Sequence, residues 1–356
     1  MISSRKAICK KVRRSVCFTF LISLSWVGAA SGLTIQLDYS TDTYVSSNST
    51  AQAAMNAAAA DISTAITSTL SSITAADRTI TGTAGGFSTS FDWTFFYRHP
   101  ETTEDITYDP PLVPADTVTI FVGGYPMPGT TVGKGSTSHT GLSILASGVL
   151  PDYPGSVSDA ENQSNVIYSR SGGPIIGNLS GNAPDIQGET PPYSLDYGSI
   201  VGSISFDTEE TWHFDHTSPV ADGKVDFYTV AVHELLHAIG FGTSASWDSL
   251  VSGSTWAGPA AIALNGGSGA SLIELTSGHI ASGIQSPRLS DSVMQEVIMD
   301  PSLTTGERKE LTLMDLAFLQ DIGWMTVPEP SSTVLLLSVL LSIFAHRRYP
   351  FGGVRS

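Results

Sequence analysis

Alternating and helical patterns of apolar residues divide much of the chain into predicted strands and helices. Leu33 to Tyr39 alternates like a short strand, and Ser88 to Tyr97, Thr117 to Gly123 and Ile200 to Phe206 are also typical of strands. Ala51 to Ile73 contains neither Gly nor Pro and spaces its larger apolar residues at helical intervals, which predicts one long amphipathic helix. The first part of the chain therefore mixes strands with helix.

The later part predicts loops and two further helices. The segment 124–192 is punctuated by Gly and Pro, which favours long surface loops with at most short strands. Phe227 to Ile239 is predicted to be a helix capped by the preceding aspartate. A last helix is predicted for Leu313 to Ile322, where Thr312 and Asp315 form a capping-box pattern. This order predicts one α+β domain, residues 33–326, with a twisted mixed sheet.

The N-terminus has the three parts of a secretory signal peptide, which we assign to residues 1–32. Arg5 to Arg14 form a basic region, Val16 to Val27 form an apolar stretch, and small residues follow up to Gly32. A true membrane span is the alternative, but the apolar run is short for one. The prediction is export from the cytoplasm.

The C-terminus, residues 327–356, carries a second predicted targeting signal. The tripeptide Pro328-Glu329-Pro330 precedes an apolar run from Ser331 to Ala345, and Arg347 and Arg348 follow. That run spans about 22 Å as a helix, short for a bilayer core of about 30 Å. The order resembles the PEP-CTERM sorting signal of Gram-negative bacteria. The resemblance implies transient anchoring in the inner membrane by a short transmembrane helix, processing by an exosortase, and delivery to the cell surface or extracellular matrix. An ordinary tail anchor is the alternative.

Charge is distributed unevenly and excludes several classes of partner. The chain has 17 basic and 33 acidic side chains. Nine basic and one acidic of these lie in the two terminal segments, which leaves 8 basic and 32 acidic side chains, a net charge of −24, for residues 33–327. Nucleic acid and anionic lipid would be repelled by such a body. Both cysteines, Cys9 and Cys17, precede residue 33, so the mature body has neither a disulfide nor a cysteine-switch inhibitory segment.

The chemistry is concentrated in one short motif. His233, Glu234 and His237 form an H-E-x-x-H arrangement on the predicted helix. Because four residues make nearly one helical turn, both imidazoles project from the same face and can occupy two corners of a zinc tetrahedron. Glu234 follows the first ligand and can reach the water-occupied corner as the general base. The motif predicts a Zn²⁺-dependent hydrolase.

These residues also carry a family resemblance. Residues 199–244 and 275–324, which include the helix His233 to Gly240 and the run from Met299 to Trp324, resemble metzincin-type zinc metallopeptidases with PEP-CTERM tails. The resemblance implies a cleft between a sheet-and-helix subdomain and a smaller, loop-rich C-terminal subdomain. It also implies a Met-turn, for which Met299 is the candidate, and an edge strand for an extended peptide, for which Ile200 to Phe206 is the candidate.

The third zinc ligand departs from the standard metzincin spacing. Six residues after His237 stands Thr243, whose neutral hydroxyl is a poor zinc ligand. His279 is the next histidine along the chain, and its position before Met299 resembles the leishmanolysin-like branch, in which an insertion separates the third ligand from the helix. Glu274 and Asp248 are the reserve candidates.

The sequence thus predicts an exported zinc endopeptidase that acts on a protein or peptide substrate. Glu234 is its predicted catalytic residue, and His233, His237 and His279 are its predicted metal ligands. A rival prediction is a non-catalytic surface or matrix-binding protein with a degenerate or structural metal site. A structural site would be closed by four protein ligands, whereas a catalytic site keeps one position open.

Overall fold

The computed structural model describes residues 32–275 and 278–327. The predicted signal peptide, apart from its last residue, and the predicted PEP-CTERM tail, apart from Val327, lie outside these ranges. None of the helices built from the described residues has the length and apolar character needed to cross a membrane.

The described residues form an α+β fold, as the sequence predicts. In chain order the helices are α1 (Ser49–Ala65), α2 (Tyr153–Tyr168), α3 (Phe227–Ala238), α4 (Ala245–Asp248), α5 (Pro259–Leu264) and α6 (Leu313–Asp321). The strands are β1 (Thr34–Asp38), β2 (Ile73–Thr74), β3 (Thr79–Ala84), β4 (Phe87–Arg98), β5 (Asp105–Tyr108), β6 (Leu112–Val113), β7 (Thr117–Tyr125), β8 (Gly133–Thr137), β9 (His139–Gly148), β10 (Ile175–Asn182), β11 (Pro192–Gly198), β12 (Val201–Asp207), β13 (Trp212–His213), β14 (Val225–Asp226), β15 (Val251–Ser252), β16 (Thr255–Trp256), β17 (Gln285–Pro287) and β18 (Met294–Glu296).

The sheet nearest the histidine motif is mixed. Its strand order is β1-β7-β12-β8, in which β1, β7 and β12 are parallel and β8 runs antiparallel to β12, with Gly135 opposite Ile204. Strands β7 and β12 are buried almost throughout, as expected for strands covered on both faces. Helices α1 and α3 pack with this sheet in one large apolar core that also includes α6.

A second sheet has its own core. The long strand β4 pairs with β3 and β5 along one edge and with β9 along the other, all antiparallel. Helix α2 and the β10–β11 hairpin pack with it around a cluster of aromatic side chains, among them Trp93, Phe95 and Tyr168. After α3 the elements are short helices and two-stranded ribbons up to α6. The division into two subdomains stays a prediction.

Most predicted strands and helices are present, with one shortened. Strands β1, β4, β7 and β12 and helices α3 and α6 confirm the predicted segments to within about two residues. The predicted helix Ala51 to Ile73 ends earlier, at Ala65. At Ile66 the backbone becomes extended and forms an isolated antiparallel β-bridge with Thr326. Ile73 belongs to strand β2 instead.

The prediction of long surface loops for residues 124–192 is wrong, because this segment contains β8, β9, α2 and β10. Helix α2 buries Tyr153, Val157, Ala160 and Tyr168 at helical spacing, but two of its other inward positions are serines. One of them, Ser156, is fully buried and satisfied by a 2.7 Å hydrogen bond between its Oγ and Thr89 Oγ1. Buried polar positions concealed the apolar periodicity in the sequence.

The predicted edge strand is also wrong. Ile200 to Phe206 corresponds to β12, which is flanked by β7 on one side and β8 on the other. A strand hydrogen-bonded on both sides has no free backbone groups for a peptide. The edge of this sheet next to α3 is β8.

Candidate active site

Helix α3 holds the H-E-x-x-H motif in a rigid setting. Its N-cap, Asp226, accepts a 3.1 Å hydrogen bond from the Thr229 N–H, as predicted for this helix start. Every residue of α3 except His233 is buried, so the helix is packed on all sides. Because surrounding contacts fix the helix, the motif's side chains leave it in defined directions.

The structure brings the three predicted ligand histidines together. The distance from His279 Nε2 is 3.0 Å to His233 Nε2 and 3.1 Å to His237 Nε2. The three ring centroids lie 4.8–4.9 Å apart. Within the described ranges this is the one group of three or more His, Cys, Asp or Glu side chains arranged to hold a metal ion.

Backbone carbonyls determine which nitrogens of the two helical histidines are free to bind. His233 Nδ1 lies 2.8 Å from the Ile298 carbonyl oxygen, and His237 Nδ1 lies 2.7 Å from the Phe241 carbonyl oxygen. Because a carbonyl oxygen only accepts, each Nδ1 carries the proton and donates it. Each Nε2 therefore presents a lone pair to the shared centre, the arrangement typical of metal-binding histidines.

The donor set fits zinc. In a tetrahedral site with Zn–N bonds of about 2.0–2.1 Å, neighbouring nitrogens are about 3.3–3.4 Å apart. The separations from His279 Nε2, 3.0 and 3.1 Å, are close to this value. Burial, followed by repulsion from His279, lowers the pKa of His237 to about 4, and burial also lowers the pKa of His233. Both rings are therefore neutral at pH 7, as metal binding requires.

The alternative third ligands are engaged elsewhere. The Thr243 hydroxyl donates a 2.6 Å hydrogen bond to the His237 carbonyl oxygen and so caps the end of the helix. Glu274 accepts from the Ser282 N–H, and Asp248 lies exposed in α4. Neither acid belongs to the histidine cluster.

Glu234 lies between its helix and strand β8. Its side chain is 6 % exposed and lines the same cleft as His233 and His279. Burial raises the pKa of Glu234 to about 8, against the opposing effect of a hydrogen bond from the Gly135 N–H. A cation held by the histidines would favour the charged carboxylate instead. A carboxylate in this position can accept a proton from a water molecule in the cleft.

Strand β8 approaches Glu234 so closely that two glycines are needed. A Cβ at Gly133 would lie 2.7 Å from Glu234 Oε1 and 2.7 Å from Val230 Cγ1. A Cβ at Gly135 would lie 2.2 Å from the Glu234 carbonyl oxygen and 2.8 Å from His237 Cβ. The sequence analysis did not single out these residues, although glycines two apart in a strand face the same side and signal a close approach.

A buried acid supports the segment around Met299. Asp315 accepts hydrogen bonds from the Ile298 and Met299 N–H groups, both at 3.2 Å, and also caps α6 through Thr312. Met299 is fully buried, and its identity as a Met-turn residue stays an interpretation. Since the Ile298 carbonyl accepts from His233, Asp315 supports the ring of a predicted metal ligand through one intervening residue.

A cleft of about 480 Å³ opens onto these groups. Its walls combine the edge strand, helix α3 and the segment after Met299, with Lys309 as a buried cation paired to Glu296 at 2.6 Å. The lining residues are Thr130, Thr131, Val132, Gly133, Val225, Thr229, Val230, His233, Glu234, His279, Ile298, Asp300, Pro301, Ser302, Leu303 and Lys309. A cleft whose walls are partly apolar and partly polar suits a peptide chain.

Comparison with known proteins gives one family match and one match to an individual protein. Residues 189–259 match the model of the matrixin family, which is a family of peptidases. Matrix metalloproteinase-25 of Mus musculus is 44% identical over 52 residues, which are 15% of this chain and 8% of that protein. The chain thus spans a small part of the relative it matches. No solved structure matches it.

These matches support a metzincin-type zinc metallopeptidase. Matrixins are zinc-dependent, and the histidine cluster can bind a metal, so the predicted Zn²⁺ cofactor is confirmed at this level. The matched family is a peptidase family, and a protein or peptide substrate for this chain stays a prediction. The matrixin match, residues 189–259, includes His233 to His237.

Proposed function

We propose that this protein is an exported zinc endopeptidase in which His233, His237 and His279 hold the metal and Glu234 is the general base. The observation that carries the proposal is the convergence of the imidazoles beside a buried glutamate in a cleft, with the helical rings fixed by carbonyl acceptors. Bound zinc supplies Lewis-acid chemistry: it polarises a carbonyl and makes water nucleophilic near neutral pH.

The residues of the chain perform the remaining steps. Glu234 accepts the proton of the attacking water and later donates it to the nitrogen of the leaving amine. Strand β8 lies against the Glu234 side chain at Gly133 and so limits the positions that its carboxylate can take. The carbonyls of Ile298 and Phe241 keep the helical imidazoles in the Nδ1-protonated tautomer throughout.

Strand β8 replaces β12 as the proposed docking edge for the substrate backbone. It is the antiparallel edge strand of the sheet and borders the cleft at Gly133. An extended peptide can add to such an edge by main-chain hydrogen bonds, which give affinity with little dependence on sequence.

Hydrolysis and metal content test the proposal together. A denatured protein is incubated with the purified chain and with Glu234→Ala, and bound zinc is measured in both. We expect one zinc per chain in each, and cleavage by the wild type alone. Cleavage by neither with zinc bound would favour the rival surface or matrix-binding protein.

Replacing the third ligand tests the metal assignment separately. Glu274→Ala and Asp248→Ala are matched controls for His279→Ala, because each removes one candidate ligand. We expect zinc loss from His279→Ala only. Retention of zinc by His279→Ala together with loss from a control would give the third position to that acid.

The proposed location is the cell surface or extracellular matrix of a Gram-negative bacterium. It rests on the signal-peptide pattern and on the likeness of Pro328-Glu329-Pro330 and its following apolar run to a sorting signal. Exosortase processing after transient inner-membrane anchoring would remove the tail. Mass spectrometry of the surface-released protein should find a C-terminus near these prolines, whereas an intact tail would contradict processing.

A further inference from the structure

The third histidine follows a point where two segments of backbone touch. A Cβ at Gly242 would lie 2.1 Å from the Gly278 carbonyl oxygen, and a Cβ at Gly278 would lie 2.6 Å from the Gly242 carbonyl oxygen. Both residues also have left-handed φ angles, +70° and +68°. Space and backbone conformation therefore both call for glycine at each position.

This crossing links the two places from which a third ligand could come. Gly242 directly precedes Thr243, the position six residues after His237, and Gly278 directly precedes His279. The histidine is thus delivered, from a distant part of the sequence, to the end of the helix that carries the other two rings.

Backbone hydrogen bonds hold the other side of His279. The Ile280 N–H donates to the Met299 carbonyl oxygen, and the Glu274 N–H donates to the His279 carbonyl oxygen, both at 3.0 Å. Because these bonds and the glycine contact both involve the backbone at or next to His279, a shift of that backbone away from Gly242 would break hydrogen bonds. The Gly242–Gly278 contact and these two hydrogen bonds therefore both restrain the backbone that carries the His279 ring.

We propose that Gly242 and Gly278 are positioning residues for the third metal ligand. Through their contact, His279 and not the residue at position 243 joins the two histidines of the helix. The inference rests on the proposed role of His279 as a zinc ligand. Even a small side chain at either glycine would separate the two segments and move His279 away from the ion.

The test measures metal binding in Gly242→Ala, with two controls of equal backbone strain. Gly253 and Gly266 have φ angles of +60° and +69° and nothing within 4 Å of an added Cβ. Gly253→Ala and Gly266→Ala therefore introduce the same left-handed alanine without a clash. Zinc affinity is measured by chelator competition, and the visible absorption of the Co²⁺-loaded protein reports the number and symmetry of its ligands.

We expect Gly242→Ala to weaken zinc binding by about 10- to 100-fold and to shift the Co²⁺ spectrum toward that of His279→Ala. Both control variants should keep wild-type affinity and spectrum. Because Asn tolerates left-handed φ, Gly278→Asn keeps the clash with less strain and serves if Gly242→Ala does not fold. Wild-type zinc affinity and Co²⁺ spectrum in a folded variant at either glycine would overturn the proposal.

The His279→Ala variant distinguishes failure of the ligand assignment from failure of the positioning role. If His279→Ala binds zinc as the wild type does, the ligand assignment itself has failed. If His279→Ala loses zinc while the glycine variants keep it, only the positioning role is refuted.

Discussion

Replacing Asp315 with Asn should weaken both the fold and the metal site. Asp315 is completely buried, and its carboxylate accepts four hydrogen bonds. Two come from the backbone of Ile298 and Met299, and two come from the N–H and hydroxyl of Thr312. Asn replaces one of the accepting oxygens by an NH₂ group, which would face a donor.

The expected loss follows from these contacts. Losing one hydrogen bond to a charged group costs about 1.5–3 kcal/mol, and an unsatisfied buried N–H costs about 1–3 kcal/mol. Burial raises the pKa of Asp315, which shows that the charge is itself costly to bury, so removing it offsets part of the loss. We expect the free energy of unfolding to fall by about 2–4 kcal/mol and Tm by about 4–12 °C.

A second acid on α6 provides the matched control. Asp321 accepts from the Trp256 indole N–H and from the Ala260 and Ala261 N–H groups, at 2.8–3.0 Å, whereas His233 and His237 bond to the carbonyls of Ile298 and Phe241. Asp321→Asn should therefore lose stability alone. Asp315→Asn should also bind zinc about 10- to 100-fold more weakly, because Ile298 no longer holds His233 firmly.

The assay is denaturant unfolding of the metal-free protein, followed by zinc titration of each folded variant. Equal zinc affinity in the two variants would refute the argument that Asp315 acts on the metal through Ile298. Unchanged unfolding of Asp315→Asn would refute the hydrogen-bond account as well.

Three further predictions concern the base, the second core and acid stability. Gly133→Ala should reduce kcat by about 10²-fold at unchanged zinc content, because the added Cβ displaces the Glu234 carboxylate. Steady-state kinetics and metal analysis measure both quantities, and a wild-type kcat in the variant would contradict the prediction. Arg170→Met should cost at least about 3 kcal/mol in urea unfolding, because the fully buried guanidinium donates to four backbone carbonyls; a smaller loss would mean that water replaces it. Burial raises the pKa of Asp300, but hydrogen bonds from Ser302 and Gly283 outweigh it and hold that pKa below its ordinary value. Asp300 therefore stabilises the fold above the unfolded pKa of about 3.9, and this stability is lost as pH falls through the lower folded pKa. The unfolding free energy of Asp300→Asn should therefore fall less steeply with acid than that of the wild type. An equally steep fall in both proteins would refute this role of Asp300.

Local signals explain why the motif helix and the last helix could be predicted. Asp226 caps α3, and Thr312 with Asp315 forms the capping box of α6, all within four residues of the helix they start. The H-E-x-x-H spacing is local too. Such features depend on short-range geometry, which a sequence displays directly.

The features that were missed depend on partners distant in sequence. Nothing near Gly133 indicates that its strand lies on Glu234, since the contact joins residues about a hundred positions apart. The Gly242–Gly278 contact and the support of Ile298 by Asp315 are likewise long-range. His279 could be named only as a candidate by its place in the chain, and the fold was needed to bring its ring to the other two.

The central claim is that this site hydrolyses peptide bonds, and ¹⁸O incorporation tests it most directly. The zinc-loaded protein and Glu234→Ala are each incubated with a protein substrate in H₂¹⁸O, and the products are examined by mass spectrometry. We predict that the wild type alone releases peptides with one ¹⁸O in each new C-terminal carboxylate. Absence of new peptides from the zinc-loaded wild type, or equal release by Glu234→Ala, would contradict the account.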